Sequence, residues 1–276
     1  MAKTAVALKE ETQLVLPDFM LDQVGLGTEA LGAEDVQVPR VKLMQALSPE
    51  LEEYNDLKKG DFFHTLAERN MGKEVRITPI FVDKRFILWR PRDSGGGILA
   101  RADDGIHWSP ANTEFSVTLK GGATVRWRTA ATVAASGLDR WGSSNPGDPN
   151  SPPAATRMYN VVVTFPDHPD LPPAVVTLQR AAIKVAQKFL GKLKITRAPS
   201  FGLIYTMSSV DDRNAAGQDY KNYAFKADGM VQDKETYESN FKYYTYFKEQ
   251  GLQVKDIEDA QDDDIGDTEG KDTPAF

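Results

Sequence analysis

Short runs in which hydrophobic and polar residues alternate dominate the chain from about residue 73 to residue 227. Runs of this kind, rich in β-branched and aromatic residues, are typical of half-buried β-strands. Two of them flank Lys120-Gly121-Gly122, a spacing that favours a β-hairpin. The predicted strands are Glu74–Val82, Arg85–Arg90, Glu114–Leu119, Ala123–Arg128, Met158–Phe165, Ala174–Leu178, Gly202–Met207 and Tyr220–Ala227.

A helical period replaces the alternation in two segments, about Arg180–Leu193 and Asp233–Gln250, and predicts two helices. Residues 1–36 are polar and lack sustained periodicity, so we expect a mobile N-terminal arm. The Gly/Ser/Asn/Pro stretch Gly142–Pro153 predicts an exposed loop. Residues 37–254 are therefore predicted to form a mainly β (α+β) domain, an antiparallel OB-like β-barrel elaborated by insertions and the two helices. A β-sandwich is the alternative, because periodicity does not determine strand order.

The acidic residues are concentrated at the C-terminus. Residues 256–276 hold nine acidic side chains and one basic side chain, Lys271, and the chain ends on Phe276. The formal net charge is −7, yet residues 1–255 hold 32 basic and 31 acidic residues, and residues 71–230 hold 21 and 14. We expect residues 255–276 to form a disordered acidic tail. The alternative to a binding role is that the tail only aids the solubility of the protein. A basic region tethered to its own polyanion indicates that the ligand is another polyanion.

The most informative feature of the predicted domain is a series of basic residues on the first predicted helix. No acidic residue lies between Arg180 and Arg197 to relieve their repulsion. A purely basic stripe favours contact with a polyanion over an ordinary solvated helix face. The stripe consists of Arg180, Lys184, Lys188 and Lys192, four residues apart, extended by Lys194 and Arg197.

Two predicted strands place arginines beside large aromatic rings. Base stacking on an exposed ring contributes about 1–3 kcal/mol, and a basic groove follows the phosphates. Alternation puts Arg126 and Arg128 on one face of a strand and Trp127 on the other, so these three cannot contact one ligand together. Any single ring is more often part of a core, which makes the arginines the stronger candidates. Besides the basic stripe, the candidate nucleic-acid contacts are Arg85, Phe86, Trp89, Arg90, Arg92, Arg126, Trp127 and Arg128.

The second predicted helix is dense in aromatic residues. Tyr237, Phe241 and Tyr244 lie along one side with Lys248, which indicates core packing. Tyr243 and Tyr246 then point elsewhere, towards solvent, a second subunit or a base. Packing or self-association is the preferred interpretation over contact with nucleic acid.

The sequence favours neither an enzyme nor a metal or cofactor site. His64, His107 and His168 are isolated, and the chain has no cysteine and no GxxxxGK[ST] phosphate loop. Asp103-Asp104-Gly105 is typical of a surface turn. No window approaches the ~18 apolar residues of a membrane span, so we expect no membrane association.

The acidic tail resembles that of the single-stranded-DNA-binding proteins of bacteria and tailed phages, which commonly end in a mobile acidic segment closed by phenylalanine. Asp262-Asp263-Asp264-Ile265 and Pro274-Ala275-Phe276 resemble the two halves of that ending, here separated by eight residues. Val38–Met44 and Leu88–Arg92 are similar to segments of proteins encoded by phages and prophages. The resemblance implies a tail that docks on replication or recombination proteins through Asp262, Asp263, Asp264 and Phe276.

These features together predict a sequence-nonspecific single-stranded-DNA-binding protein of phage DNA replication or recombination, acting in the cytoplasm of the bacterial host. The tail is expected to compete with DNA for the basic surface and to recruit partner proteins. Homo-oligomer formation is left open. The alternatives are a structural or assembly protein of the virion and a recombination protein that anneals complementary strands.

Overall fold

The computed structural model of the protein describes residues 39–91, 94–119, 121–214 and 217–252. The predicted arm (1–36), the predicted tail (255–276) and Arg92 lie outside these residues, and so do the exact limits of the predicted 37–254 domain. The strands are β1 (Val41–Leu43), β2 (Phe62–His64), β3 (Arg69–Gly72), β4 (Glu74–Trp89), β5 (Ile98–Ala102), β6 (Glu114–Thr118), β7 (Thr124–Arg128), β8 (Ala155–Thr164), β9 (Ala174–Gln179), β10 (Leu203–Arg213) and β11 (Asp219–Met230). The helices are α1 (Glu50–Glu53), α2 (Val133–Ser136), α3 (Ile183–Thr196) and α4 (Lys234–Gln250).

The long strand β4 organises the main sheet, whose strand order is β11-β10-β4-β8-β9. Strand β8 pairs with β4 along one edge, with a bulge next to Pro79, whose missing N–H interrupts the regular ladder. The other edge is shared, because β10 pairs with the first four residues of β4 and β5 pairs with its last four. All of these pairings are antiparallel. The two halves of β4 therefore belong to two different environments.

The first core lies on one face of the main sheet, at the N-terminal half of β4. Val75 and Ile77 pack there with Val161 and Val163 of β8. The small sheet β1-β2-β3 and helix α3 contribute to the same core, where the helix buries Phe189. Side chains alternate along a strand, so Val162, between Val161 and Val163, faces the opposite side of the sheet. Ile80 of β4 packs on that side as well.

Helix α4 covers that opposite side. Ile80 and Val162 pack there with Phe201 and Leu252, and the partly buried Tyr244 and Phe247 of α4 rest on them. The buried Asn240 fixes the helix by two hydrogen bonds, because its amide donates to the Phe201 carbonyl (3.1 Å) and its oxygen accepts from the Thr164 hydroxyl (3.1 Å). The chain thus leaves α4 with Leu252 still inside the core.

The second core forms at the C-terminal half of β4. Phe86 and Leu88 pack with β5, with the inner face of the hairpin β6–β7 and with the short helix α2. Thr132 caps α2 by accepting a hydrogen bond from the Ala135 N–H at 3.2 Å, and Gly137 ends the helix at φ 69, in the left-handed region where glycine is favoured. This second core, with its hairpin, is called the hairpin lobe below.

The prediction of a mainly β, antiparallel fold is confirmed, and so are the hairpin β6–β7 and both long helices. The closed OB-like barrel is not what the described strands form. They make separate antiparallel sheets, and β11 pairs only with β10. The two strands predicted at Glu74–Val82 and Arg85–Arg90 are one strand, because Asp83 and Lys84 between them continue the pairing with β8.

Candidate nucleic-acid interface

Helix α3 separates its apolar and basic residues onto opposite sides. Ala186 and Phe189 are buried, and the Phe189 ring stacks on Phe225 of β11 at 4.2 Å between centroids and meets Tyr205 of β10 edge-on at 5.1 Å. With this side held against the sheet, the other side is turned to solvent. The exposed cations are Lys184, Lys188, Lys192, Lys194 and Arg197.

The predicted stripe is corrected at its first position. Arg180 does not lie on α3 but in a short 3-10 turn before it, with a left-handed φ of 49, and it is only partly exposed. Lys192 extends towards β11, where its Nζ donates to the Phe225 carbonyl at 3.2 Å. Arg197 ends the helix in the left-handed conformation. The basic face of α3 therefore comprises Lys184, Lys188, Lys192, Lys194 and Arg197.

This face meets no compensating acid on its own segment. Among the described residues, Lys188, Lys194 and Arg197 form no ion pair with a carboxylate. Arg76, on the first half of β4, is a contrast. Its Nε and Nη1 donate to Asp228 and Asp167, both at 2.7 Å, and these hydrogen bonds raise the pKa of Arg76. Lys188, Lys194 and Arg197 thus differ from Arg76, whose charge is already balanced by two carboxylates.

The hairpin β6–β7 presents a second pair of cations. Arg126 and Arg128 are exposed on its outer face, and Trp127 between them is buried in the second core, as the predicted alternation requires. The Trp127 indole N–H donates to the Ser144 carbonyl at 3.2 Å. Arg126 approaches Glu114 at 3.8 Å, a pair at the surface that contributes little to stability.

Three of the predicted contact residues are buried and present no surface to a ligand. Phe86 and Trp127 are packed in the second core. Arg85 is buried between Asp83 and the Leu252 carbonyl, where its guanidinium donates to both. Phe86 and Trp127 are buried because the hairpin packs its inner face on β4, and Arg85 is buried because the segment that ends at Leu252 covers it. Trp89 is partly buried, and Arg90, which directly follows the strand, is exposed.

The structure does not bring the two groups of cations together. Helix α3 packs on the core that contains Ile77, and the hairpin packs on the core that contains Phe86. These two positions are nine residues apart on strand β4, which corresponds to about 30 Å along an extended strand. The two groups of cations are therefore separate candidate contact regions.

One exposed aromatic ring is not among the predicted contact residues. Trp141 is 56% exposed, whereas Trp108 and Trp127 are each 4% exposed. It follows the exposed Arg140 and opens the predicted loop Gly142–Pro153. The position of a tryptophan at the start of a Gly/Ser/Asn/Pro stretch, and not within a strand, is the signal that would have identified it.

The described residues contain no group of three or more His, Cys, Asp or Glu side chains placed to hold a metal ion. In the same part of the chain, no helix is both long and apolar enough to cross a membrane.

Comparison with known proteins assigns the family. No curated protein and no solved structure matches the chain significantly. Residues 9–253 match the family described as Pam3 phage gp34-like protein. That range contains α3, the hairpin lobe and α4 and ends before the acidic tail. Since the match covers most of the chain, the protein belongs to the Pam3 phage gp34-like family of bacteriophage proteins.

Proposed function

We propose that this phage protein binds single-stranded DNA without sequence preference and acts in phage DNA replication or recombination in the cytoplasm of the bacterial host. The observation that carries the proposal is the basic face of α3, five exposed cations on a segment without one acidic residue. Like charges so close together repel one another in the free protein, and phosphates relieve that repulsion. Arg90, Arg126 and Arg128 on the hairpin lobe supply further exposed positive charge.

The mechanism is electrostatic. Each phosphate contact on a single strand releases condensed counterions, so affinity falls with salt at a slope of about 0.7 per contact on logarithmic axes. Removing three contacts therefore lowers the slope by roughly 2. This number is what separates phosphate binding from an indirect effect on folding, which changes affinity without a defined change in slope.

The test is a fluorescence-anisotropy titration of a labelled single-stranded oligonucleotide between about 50 and 200 mM salt. The variant carries Lys188→Gln, Lys194→Gln and Arg197→Gln. The matched control removes the same charge from the exposed Lys58, Lys73 and Lys242. We expect a weaker affinity and a shallower salt slope in the α3 variant alone. Equal slopes in the two variants would count against the proposal, and a duplex competitor shows whether single strands are preferred.

The proposal includes the acidic tail. Residues 256–276 carry eight net negative charges, and the ring and α-carboxylate of Phe276 form a compact end that a basic-rimmed apolar pocket can hold. The tail competes with DNA for the basic face of α3. When DNA displaces it, Asp262, Asp263, Asp264 and Phe276 recruit replication or recombination proteins.

A second candidate function, subunit assembly within the virion, is favoured by helix α4. Phe241 is 50% exposed although its ring contacts Phe201 at 5.6 Å, and Tyr246 is 54% exposed. Exposed rings of this kind suit contact with a second subunit. Salt separates the two candidates, because DNA binding weakens steeply with ionic strength and an apolar interface does not.

A further inference from the structure

The loop that follows α2 has a defined conformation. The Gly142 N–H donates to the Ser151 carbonyl at 2.7 Å, and the Ser144 N–H donates to the Pro152 carbonyl at 3.2 Å. These two bonds join the incoming and outgoing arms of residues 142–152. The loop is therefore closed on itself, and the residue at its entrance is held in place.

That residue is Trp141, which lies immediately before Gly142. A tryptophan is normally among the most buried side chains of a lobe of this size, as Trp108 and Trp127 are here. Trp141 belongs to none of the described hydrophobic clusters. An ordered loop thus holds a large indole ring in solvent, where it contributes little to the stability of the fold.

The exposed cation next to the ring in the sequence is Arg140, which directly precedes Trp141. The hydrogen bond from Trp127 to Ser144 ties the loop to the inner face of the hairpin, whereas Arg126 and Arg128 lie on the outer face. No ion pair of Arg128 or Arg140 with a carboxylate occurs among the described residues.

Three acidic side chains of this lobe contact other groups of the protein. Asp139 lies 4.0 Å from Arg157, and Glu114 lies 3.8 Å from Arg126. Asp148 accepts the Asn150 N–H at 2.9 Å inside the loop. Arg126 is therefore partly engaged by Glu114, whereas Arg140 retains charge that a phosphate backbone complements.

We propose that Trp141 is a base-stacking platform, on which one base of a bound single strand rests while Arg140 contacts an adjoining phosphate. An exposed ring in a pre-ordered loop next to an arginine suits a nucleobase, because every base has an aromatic face and is joined to a charged backbone. Pre-ordering lowers the entropy cost of binding. This inference rests on the proposed function and adds a second contact region to it, on the hairpin lobe, whereas α3 packs on the first core.

The intrinsic fluorescence of the protein reports on this site directly. Of its four tryptophans, Trp108 and Trp127 are buried, Trp89 is partly buried and Trp141 is the exposed one. We expect oligothymidylate to quench the emission of the full-length protein, and we expect Trp141→Phe to remove most of that quenching while keeping the affinity. Quenching of the same size in the Trp141→Phe protein would overturn the assignment.

Affinity separates stacking from charge. Trp141→Ala should weaken binding of oligothymidylate by about 5- to 150-fold, the range that corresponds to loss of one stacked base. Binding of an abasic oligonucleotide of the same length should not change, because it has phosphates but no base. Tyr246→Ala, which removes an equally exposed ring from α4, is the matched control and should leave both affinities unchanged.

The failures of the two proposals are distinguishable. If the wild-type protein binds oligothymidylate and Trp141→Ala binds it equally well, the stacking platform is wrong and the DNA-binding function stands. If Trp141→Ala weakens the abasic ligand by the same factor, the residue acts through the loop and not by stacking, and the inference is again wrong. If the wild-type protein binds neither ligand at low salt, the proposed function itself fails.

Discussion

Arg85 of β4 donates a hydrogen bond from its guanidinium to the carbonyl oxygen of Leu252, a contact between residues 167 positions apart in the chain. The same guanidinium donates to Asp83 through Nε, and Nη1 lies 3.6 Å from Asp103. This buried network holds the end of the segment that follows α4 against the middle of β4. Leu252, the last described residue before the acidic segment, is therefore held in place by Arg85.

Replacing Arg85 by methionine should destabilise the protein strongly. The side chain of Arg85 is 6% exposed and that of Asp83 is 15% exposed, so the substitution leaves a poorly solvated carboxylate and the Leu252 carbonyl without their partner. Losses of this kind cost about 3–5 kcal/mol in the free energy of unfolding. Urea denaturation measures it, and Arg126→Met, which breaks the exposed pair with Glu114, should cost only about 0–1 kcal/mol. Similar losses in the two variants would contradict this account.

The burial of Arg85 shows where sequence reasoning stops. Its place on a strand with Phe86 and Trp89 was predicted, because the composition of a strand is a local property of the sequence. Its burial depends on Leu252, which no local pattern relates to it. The burial of Trp127 was equally beyond local patterns. Alternation placed Trp127 and the two neighbouring arginines on opposite faces of the hairpin, but it did not determine which face is buried.

Charge patterns were more informative about α3 than about β4. The basic stripe was visible because four-residue spacing and the absence of acids are both properties of one short segment. The single error, Arg180, lies at the junction with β9, where the chain takes a left-handed φ before the helix begins. Boundaries of this kind depend on how a strand end meets a helix, which the period does not encode.

Trp127→Phe should loosen the loop that holds Trp141. Phenylalanine keeps a ring in the second core but lacks the N–H, so the Ser144 carbonyl loses its donor. We expect a loss of about 1–3 kcal/mol in the free energy of unfolding. The more specific result is faster hydrogen exchange at the amides of Gly142 and Ser144.

Trp108→Phe is the control for this substitution. It removes an equivalent indole bond in the same lobe, the one to the Ser136 hydroxyl at 3.0 Å, without touching the loop. We expect it to lower global stability and to leave the two loop amides protected relative to the rest of the lobe. If Trp127→Phe and Trp108→Phe accelerate exchange at Gly142 equally, the Trp127 bond does not order the loop.

Stability should fall as the pH drops below about 6.5, because of His64. The imidazole is fully buried; its Nδ1 accepts the Ala67 N–H at 3.1 Å, which leaves Nε2 to donate to the Pro172 carbonyl at 3.3 Å. Burial, aided by the charge of Arg69, lowers the pKa of His64. The folded state therefore favours the neutral ring, and the unfolded state takes up a proton first as the pH falls.

The stability that the neutral ring contributes is thus complete above the ordinary histidine pKa and is lost between that value and the lowered one. Urea midpoints measured near pH 8 and near pH 5.5 should differ in the wild-type protein. His64→Gln retains an N–H donor for Pro172 but cannot titrate, so its midpoints should differ less. An unchanged pH dependence in His64→Gln would assign the effect to other groups.

Removing residues 256–276 should tighten the binding of single-stranded DNA at low salt. The deletion takes away eight net negative charges that compete with phosphates for the basic face of α3. We expect a gain of about 5- to 150-fold, the usual size of coupling between two ligands. The gain should shrink as salt increases, because the screening length falls from about 30 Å at 0.01 M to about 8 Å at 0.15 M. Anisotropy titration of full-length and truncated protein side by side measures both effects.

Phe276→Ala separates the two roles of the tail, since it keeps every acidic residue. We expect its affinity for DNA to equal that of the wild-type protein, while capture of replication or recombination proteins from infected cells is lost, as in the truncated protein. Equal DNA affinity of the truncated and full-length proteins at low salt would contradict competition by the tail. A Phe276→Ala variant that binds DNA as tightly as the truncated protein would instead make the terminal ring, and not the charge, the competing element.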